Sequence, residues 1–327
     1  MVKSSLQTIL FSSLCVLLLT NCSAKTTEIP VSEGSEIAPE IAFEITTNIN
    51  DADTIVLGDI SDEPAKKMAA YQPFANHLAA QLKTVGIEAA RVEVAPDIAT
   101  MADWLASGKV DLYFDSPFPA LMVSEASGGQ PILRRWKDGV EAYHTIIFSR
   151  ADGAVQTLEA LPGQMIAFEE PFSTSGFMLP LAYLIEAGLN PREKAADSAP
   201  VAADEVGYVF SEDQKNAVQW VLTGRVAAAA VAAPDFFKIP ADVRQRLTIL
   251  AETEPLPRHL ALVSPTLSDR EVAAVKVALL ALDEDEVGKS TLAAFEETAQ
   301  FDEFPGGADQ ALSRMRELYD LTQREKE

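Results

Sequence analysis

The sequence predicts an α/β fold built from two similar lobes, and two observations carry this prediction. From Asp53 onward, apolar runs suited to buried strands alternate with segments of helical periodicity, an order that is typical of a mostly parallel sheet. A pattern then repeats 116 residues further along, in Trp104 to Val110 and in Trp220 to Val226. Each copy has a helix end, a glycine, a basic residue and an apolar strand. We therefore expect each lobe to be a mostly parallel sheet flanked by helices.

The composition agrees with a well-filled globular protein. The chain has 327 residues, of which 48% are hydrophobic and 23% charged, with only 16 glycines. This predicts one or two domains after the N-terminal segment.

The first 21 residues predict a signal peptide. Lys3 is followed by an apolar run from Ile9 to Leu19, which is short for a membrane span. The run ends in Leu-Thr-Asn-Cys at 19–22, which resembles the lipobox of bacterial lipoproteins and implies lipid attachment at Cys22, although Asn21 is unusual there. Ordinary cleavage near Ala24 is the alternative.

Residues 22–52 are rich in Ser, Thr, Glu and Pro and predict a flexible tether behind the lipidated N-terminus. Cys15 lies inside the signal peptide, so the mature chain keeps at most one cysteine and no internal disulfide is expected.

The charge balance argues against nucleic acid as a partner. Removal of residues 1–21 takes away Lys3 and no acid, which leaves 25 basic and 49 acidic residues, or −24. Such a surface repels phosphate backbones. An anion site in this protein has to act through short-range hydrogen bonds.

The elements follow in a regular order along the chain. A strand from Asp53 and a helix that ends near Gly86 come first, followed by a strand, a helix and a strand up to Pro117. An alternating strand from Tyr143 to Phe148 then stands where one lobe would pass into the other. We expect the first lobe to comprise 53–146 plus 240–327 and the second to comprise 147–239.

Three hydroxyl residues, Ser173, Thr174 and Ser175, stand before Gly176 and a predicted helix. The start of a helix leaves N–H groups unpaired and carries about half a positive charge, so it can hold an anion without a basic side chain. The alternative is one serine that caps the helix and two hydroxyls that face solvent.

The wider pattern resembles a known family. The segments at 57–82, 108–117, 138–150, 167–191 and 221–226 resemble, in order and spacing, the phosphate/phosphite/phosphonate-binding proteins of ABC importers. The most specific element is Pro-x-Ser-Thr-Ser-Gly-Phe at 171–177. The resemblance implies a type II periplasmic-binding-protein fold, in which two lobes joined by a two-strand hinge close on a small anionic solute. It also implies delivery to an ABC permease with its ATPase.

The resemblance implies a set of ligand-binding positions. The Ser-Thr-Ser run grips oxyanion oxygens in that family, and the remaining contacts fall near the ends of other strands and helices. The implied ligand-binding residues are Ser173, Thr174, Ser175, Asp115, Ser116, Tyr143, Gln214 and His259.

Several of these positions depart from the family pattern. Asp115 and Ser116 replace an aromatic residue and a glycine, and Gln214 falls where a histidine is frequent. Arg258 and His259 fall where some members have an acid for the amine of aminophosphonates, which argues against such a ligand. Asp115 argues against a fully ionised ligand unless the ligand donates a hydrogen bond to it. The structural alternatives are a helix cap at Asp115, a surface position for His259 and hinge packing for Tyr143.

Other function classes have weaker support. The chain has no G-x-S-x-G elbow, and its three histidines and one mature cysteine show no catalytic or metal-binding spacing. We expect no enzyme, no cofactor and no metal. The prediction is a periplasmic or cell-surface binding lipoprotein, anchored to the membrane by its lipid. The alternatives are a subunit that presents ligand to a membrane sensor, or a binder of another small carboxylate or sulfonate.

Overall fold

The computed structural model describes residues 53–324. The predicted signal peptide, Cys22 and the tether lie outside the described residues. Within residues 53–324, no helix is both long enough and apolar enough to cross a membrane.

Strands and helices alternate along most of the described chain. The strands are β1 Thr54–Ile60, β2 Ala89–Ala95, β3 Leu112–Asp115, β4 Gln130–Arg135, β5 Ala142–Tyr143, β6 Thr145–Arg150, β7 Met165–Phe168, β8 Pro191–Glu193, β9 Val206–Phe210, β10 Ala228–Ala232, β11 Leu247–Glu252, β12 Leu256–Pro257, β13 His259–Val263 and β14 Phe301–Asp302. The helices are α1 Pro64–Gln81, α2 Ile98–Ser107, α3 Pro117–Ser127, α4 Leu179–Glu186, α5 Gln214–Thr223, α6 Ala233–Lys238, α7 Ala241–Arg244, α8 Asp269–Leu280, α9 Glu286–Ala294 and α10 Ala308–Arg324.

Two six-stranded sheets organise the protein, in the orders β14-β4-β13-β3-β1-β2 and β11-β6-β10-β7-β9-β8. In the first, β1 is parallel to β2 and β3, while β13 is antiparallel to β3 and β4. In the second, β7 is parallel to β9 and β10, while β6 is antiparallel to β10 and β11. The α/β prediction is confirmed, and both sheets are mixed. The second is mostly parallel as predicted, through β10-β7-β9-β8, whereas in the first only β3-β1-β2 is parallel and three of the five strand pairs are antiparallel.

Each sheet is covered on both faces by apolar side chains. In the first, Phe74 and Leu78 of α1 pack on one face, and Leu105 of α2 and Leu121 of α3 pack on the other. Met178 and Leu179 come from the turn and helix that follow β7, yet they belong to the same cluster as Leu121. The two sheets are therefore connected by apolar packing as well as by the chain.

The sequence repeat corresponds to the same local structure in both parts. Asp97 and Asp213 each cap a helix by accepting a backbone N–H, at 2.7 Å from Thr100 and 2.8 Å from Asn216. At the other end, Gly108 and Gly224 have φ of 74° and 72°, a conformation that favours glycine.

A cation–π contact follows in both copies. Lys109 Nζ lies 3.2 Å from the ring centroid of Trp104, and Arg225 Cζ lies 3.7 Å from that of Trp220. In each copy, the tryptophan near the end of the helix thus contacts the basic residue that follows the glycine, just before the next strand.

The chain passes between the sheets at a short two-stranded connection. Strand β5 pairs with β12, through Tyr143 with Leu256 and Ala142 with Pro257. The single strand expected from Tyr143 to Phe148 is in fact β5 and β6, interrupted at His144.

The strand β11 corrects one predicted boundary. We placed residues 240–252 in the first lobe, but β11 pairs with β6 in the second sheet, through Ile249 with Phe148 for example. The apolar residues of β11 complete the edge of that sheet, so the chain returns to the first sheet only after Glu252. The residue bounds of the two lobes otherwise stay a prediction.

Asp111 is a half-buried carboxyl at the amino end of β3. Its Oδ2 accepts the backbone N–H of Val56 at 2.7 Å. Burial raises the pKa of Asp111 to about 6, although the hydrogen bond from Val56 N opposes the shift. Folding therefore favours the protonated form, and the associated stability is lost as the pH rises from about 4 through about 6.

We predict that Asp111→Asn stabilises the protein at pH 8 by about 1–3 kcal/mol and that this gain falls to less than about half at pH 4.5. The amide oxygen can still accept from Val56 N and never carries a charge. Urea unfolding of parent and variant at both pH values measures the difference, with the exposed Glu284→Gln as control. An Asp111→Asn variant that is less stable than the parent at pH 8 would contradict the prediction.

Candidate functional site

The candidate residues lie at corresponding edges of the two sheets. Strand β3 ends at Asp115 and leads directly into α3, and β7 ends at Phe168, five residues before Ser173. The antiparallel strands β6 and β13 begin at these edges, with Thr145 opposite Ala232 and Leu260 opposite Asp115. Ligands of open α/β sheets bind outside the carboxyl ends of the parallel strands.

Thr174 connects the starts of two helices that belong to different sheets. It is 1% exposed, and its Oγ1 accepts the backbone N–H of Phe118 at 2.8 Å. The same oxygen donates to Ser116 Oγ at 3.1 Å. Ser116 is the N-cap residue of α3, and its side chain makes no cap hydrogen bond. Residues 117 and 119 are prolines, so Phe118 carries the first backbone N–H of α3, and that N–H is bonded to the hydroxyl cluster through Thr174.

Ser173 is the helix cap of the cluster. Its Oγ accepts the N–H of Gly176 at 3.0 Å and donates to Glu169 Oε2 at 2.8 Å. A Cβ at position 176 would lie 2.3 Å from that same carboxylate oxygen, so only glycine fits there. The alternative in which one serine only caps the helix therefore accounts for Ser173, whose hydroxyl already makes two hydrogen bonds. It does not account for the other two hydroxyls, those of Thr174 and Ser175.

Ser175 and Tyr143 form the next layer of the site. Ser175 is 7% exposed, and its carbonyl accepts from Thr145 Oγ1 at 2.7 Å, which fixes the backbone. Burial raises the pKa of Tyr143, while the charge of Arg258 and hydrogen bonds from the Ser175 and Thr174 side chains oppose the shift. Tyr143 is therefore a neutral phenol whose hydroxyl lies beside both hydroxyls of the cluster.

Asp115 positions Ser116. One carboxylate oxygen accepts from Tyr113 Oη at 2.5 Å, and the other accepts Ser116 N at 2.6 Å and Ser116 Oγ at 3.2 Å. Burial raises the pKa of Asp115, although the bonds from Tyr113 and Ser116 favour the carboxylate. The helix-cap alternative is thus partly realised, since Asp115 holds the residue at the start of α3.

His259 is buried at the start of β13 and is not the surface residue that one alternative allowed. It is 6% exposed, and its Nδ1 has no hydrogen-bond partner. Burial lowers its pKa well below the ordinary value, and the charges of Lys137, Arg135 and Arg258 add to the effect. The imidazole is therefore neutral at pH 7, and Arg258 has to supply any positive charge at this position.

Gln214 lies further from these contacts. It is the half-buried first residue of α5, after the cap Asp213. No hydrogen bond in the described structure joins its side chain to Thr174, Ser175 or Tyr143. Its role as a ligand contact stays a prediction.

The sequence analysis missed two lysines near the site. Lys137 follows β4, and its charge acts on both Asp115 and His259. Lys67 lies in the first turns of α1 and contacts Asp59 at the end of β1, with 2.9 Å from Nζ to Oδ2. These residues come from separate segments with no common motif, so no sequence signal could have grouped them.

Comparison with known proteins identifies the family. A family model described as "ABC transporter, phosphonate, periplasmic substrate-binding protein" matches residues 57–305. The chain belongs to this family. The predicted membership is thereby confirmed, and the geometry above is that of a phosphonate-type substrate-binding protein.

Individual relatives show how far the similarity extends. The phosphate-import protein PhnD of Mycolicibacterium smegmatis is 33% identical over 151 residues, which span 44% of this chain and 46% of that protein. Among solved structures, XAC2383 from Xanthomonas citri, bound to chloride ion, has a TM-score of 0.76 at 25% identity, over 84% of this chain and 99% of that one. A binding protein of an ABC phosphonate transporter from Pseudomonas aeruginosa has a TM-score of 0.60 at 18% identity, over 84% and 87% of the two chains.

These likenesses confirm the predicted two-lobed binding-protein fold. They do not test the individual ligand-binding residues, and these stay predictions.

We predict that Thr174→Ala lowers the free energy of unfolding by about 1–2 kcal/mol, because Phe118 N–H loses its acceptor in a buried place. Thr174→Ser keeps the oxygen and should retain most of the stability. Urea unfolding of the parent and the two variants, without ligand, measures both effects. Equal stability of all three proteins would show that the bond between the two helix starts contributes nothing.

Proposed function

We propose that this protein captures a small tetrahedral phosphorus oxyanion, of the phosphonate, phosphite or phosphate class, between its two sheets and delivers it to an ABC permease. The observation that carries the proposal is the approach of two helix starts at Thr174. Backbone N–H groups at a helix start and neutral hydroxyls are suitable donors for an oxyanion.

The ligand would replace contacts that the protein makes with itself. Thr174 Oγ1 accepts from Phe118 N and donates to Ser116 Oγ, so this one hydroxyl engages both a backbone N–H and a second hydroxyl. An oxyanion oxygen could accept from the same groups, and Ser175 and Tyr143 would donate from the other side. We propose these residues, with Asp115 as the group that holds Ser116, as the binding site.

Neutral donors suit a protein of this charge. The formal net charge is −23, so long-range attraction does not bring an anion to the cleft. Affinity has to arise from hydrogen bonds in a buried site, where each charge-assisted bond contributes about 1.5–3 kcal/mol. The matched family and the import function in the name of the M. smegmatis relative support the same ligand class.

Closure would occur at the short connection between the sheets. We propose a first lobe with β1–β4, β13 and β14 and a second lobe with β6–β11, joined near Tyr143 and near 253–257. Thr174 and Ser116 belong to different lobes in this division. Binding of the ligand to both residues would therefore be coupled to closure of the two lobes.

We predict that phosphate, phosphite or methylphosphonate raises the melting temperature of the purified protein, with a gain of about 2.7 kcal/mol at a ligand concentration of 100 times Kd. Ser175→Ala should weaken binding of the same ligand roughly 10- to 150-fold, through loss of one donor. Thermal-shift screening followed by isothermal titration measures both.

The screen also contains sulfonates and dicarboxylates. Stabilisation by these alone would contradict the phosphorus ligand and favour the alternative binder of a sulfonate or carboxylate. A role in presenting the ligand to a membrane sensor would leave the titration unchanged. An uptake assay in cells with and without the ABC permease would distinguish this role from import.

We further propose that the protein is anchored outside the cytoplasm by a lipid on Cys22, as the lipobox-like segment suggests. We predict that Cys22→Ala moves the protein from the membrane fraction to the soluble fraction, because acyl chains would provide the attachment. Cell fractionation and immunoblotting measure the change, with Cys15→Ala as control. A Cys22→Ala protein that still pellets with membranes would contradict the anchor.

A further inference from the structure

A group of cations lies at the same edge of the first sheet as the proposed site. We name Lys67, Arg135, Lys137 and Arg258 the cation group. Arg135 ends β4 opposite His259 of β13, and Arg258 directly precedes β13. The group thus surrounds the end of the sheet where Asp115 leads into α3.

Most of the group shares a single carboxylate. Glu296 contacts Lys67 Nζ at 2.6 Å, Arg135 Nη2 at 3.1 Å and Lys137 Nζ at 3.4 Å. Burial would raise the pKa of Glu296, but the charges of Arg135, Lys137 and Lys67 outweigh it and hold the pKa well below its usual range.

The positive charge exceeds that of its partners. The ion-pair partners of the cation group in the described structure are Asp59, Glu296 and Asp138, so four cations meet three carboxylates. Lys137 is the least compensated member, since its one ion pair is the long contact with Glu296. Burial lowers the pKa of Lys137, Glu296 opposes the shift, and the like charges of Arg135 and Arg258 add to it.

The backbone around the group is held in an unusual conformation. Asp138 and Glu296 form ion pairs with the cations. Their backbone φ angles are 55° and 50°, values that residues other than glycine rarely adopt. Such strain is typical of functional sites. Asp138 Oδ2 accepts from Arg258 Nη2 at 2.5 Å, while Arg258 Nε is buried without a hydrogen-bond partner.

The cation group is adjacent to the hydroxyl cluster by two routes. Arg258 Cζ lies 4.5 Å from the ring centroid of Tyr143, whose hydroxyl faces Thr174 and Ser175. Lys137 acts on Asp115, which holds Ser116 against Thr174. The side chains of Lys137 and Arg258 remain 23% and 13% exposed, so a ligand in the cleft can reach them.

We infer that the ligand carries two acidic groups, a tetrahedral oxyanion held by the hydroxyl cluster and a second anion, such as a carboxylate or another phosphoryl group, held by Lys137 and Arg258. This rests on the function proposed above and narrows its ligand class. We call the tetrahedral oxyanion the head group of the ligand and the second anion its tail. Lys137 is then a specificity-determining residue, because it contacts the tail and not the head group.

The test compares three ligands that share one head group: ethylphosphonate, 3-phosphonopropionate and 2-aminoethylphosphonate. Isothermal titration of the purified protein should give a Kd for 3-phosphonopropionate that is at least about tenfold lower than that for ethylphosphonate, as one partly buried ion pair provides. The aminoethyl compound should bind at least about tenfold more weakly than ethylphosphonate, because its ammonium group meets the cation group.

Lys137→Met tests the residue itself. It keeps the apolar stem and removes the charge, and the preference for the acidic tail, measured as the ratio of the two Kd values, should fall to within about threefold. Lys66→Met is the matched control: it removes one charge from α1 at a side chain that is 75% exposed, and it should leave the preference intact.

The outcomes separate the two proposals. If no phosphonate binds and neither phosphate nor phosphite binds, the proposed function fails. If only phosphate or phosphite binds, the proposed function stands and the two-anion ligand is rejected. If ethylphosphonate and 3-phosphonopropionate bind equally, or if Lys137→Met keeps the full preference, the phosphonate function stands and the two-anion ligand is rejected. If Lys137→Met and Lys66→Met reduce the preference equally, the effect is that of net charge and the assignment to Lys137 is wrong.

Discussion

The structure depends on how the unpaired N–H groups at two helix starts are satisfied. The start of α3 and the turn before α4 follow strands of different sheets, and each needs an acceptor in a place from which water is largely excluded. Thr174 Oγ1 accepts the N–H of Phe118 at the first, and Ser173 Oγ accepts the N–H of Gly176 at the second. The Thr174 hydroxyl also donates to Ser116 Oγ and so joins the two helix starts. The packing of Met178 and Leu179 against the first sheet keeps the two helix starts together.

Electrostatics act on two length scales in this protein. At long range the chain is strongly acidic, with a formal net charge of −23. At short range, neutral groups contact Thr174, and Arg258 of the cation group lies beside Tyr143. Because surface charges are screened within about 10 Å, the local groups dominate at the proposed site. The proposed anion site is therefore compatible with an acidic protein.

The two lobes use the same local chemistry for different purposes. Asp97 and Asp213 cap equivalent helices, and Trp104 and Trp220 stack on equivalent cations, so these features stabilise each sheet. The contents of the two edges differ. The second sheet contributes hydroxyls through Thr174 and Ser175, and the first contributes Asp115 and the cation group.

Local patterns were sufficient to predict the fold and the hydroxyl cluster, because caps, glycine positions and apolar periodicity act over a few residues. The alternation of elements, the 116-residue repeat and the role of a hydroxyl at the start of α4 were all present in the sequence. Tertiary structure decided the rest: that β11 pairs with β6, that Ser173 is the cap, that His259 is buried and neutral, and that Lys67, Lys137 and Arg258 meet. Apart from the Ser173 cap, which is a local contact with Gly176, these facts depend on contacts between residues more than 50 positions apart, such as Lys67 with Glu296. Only the packed sheets create such contacts.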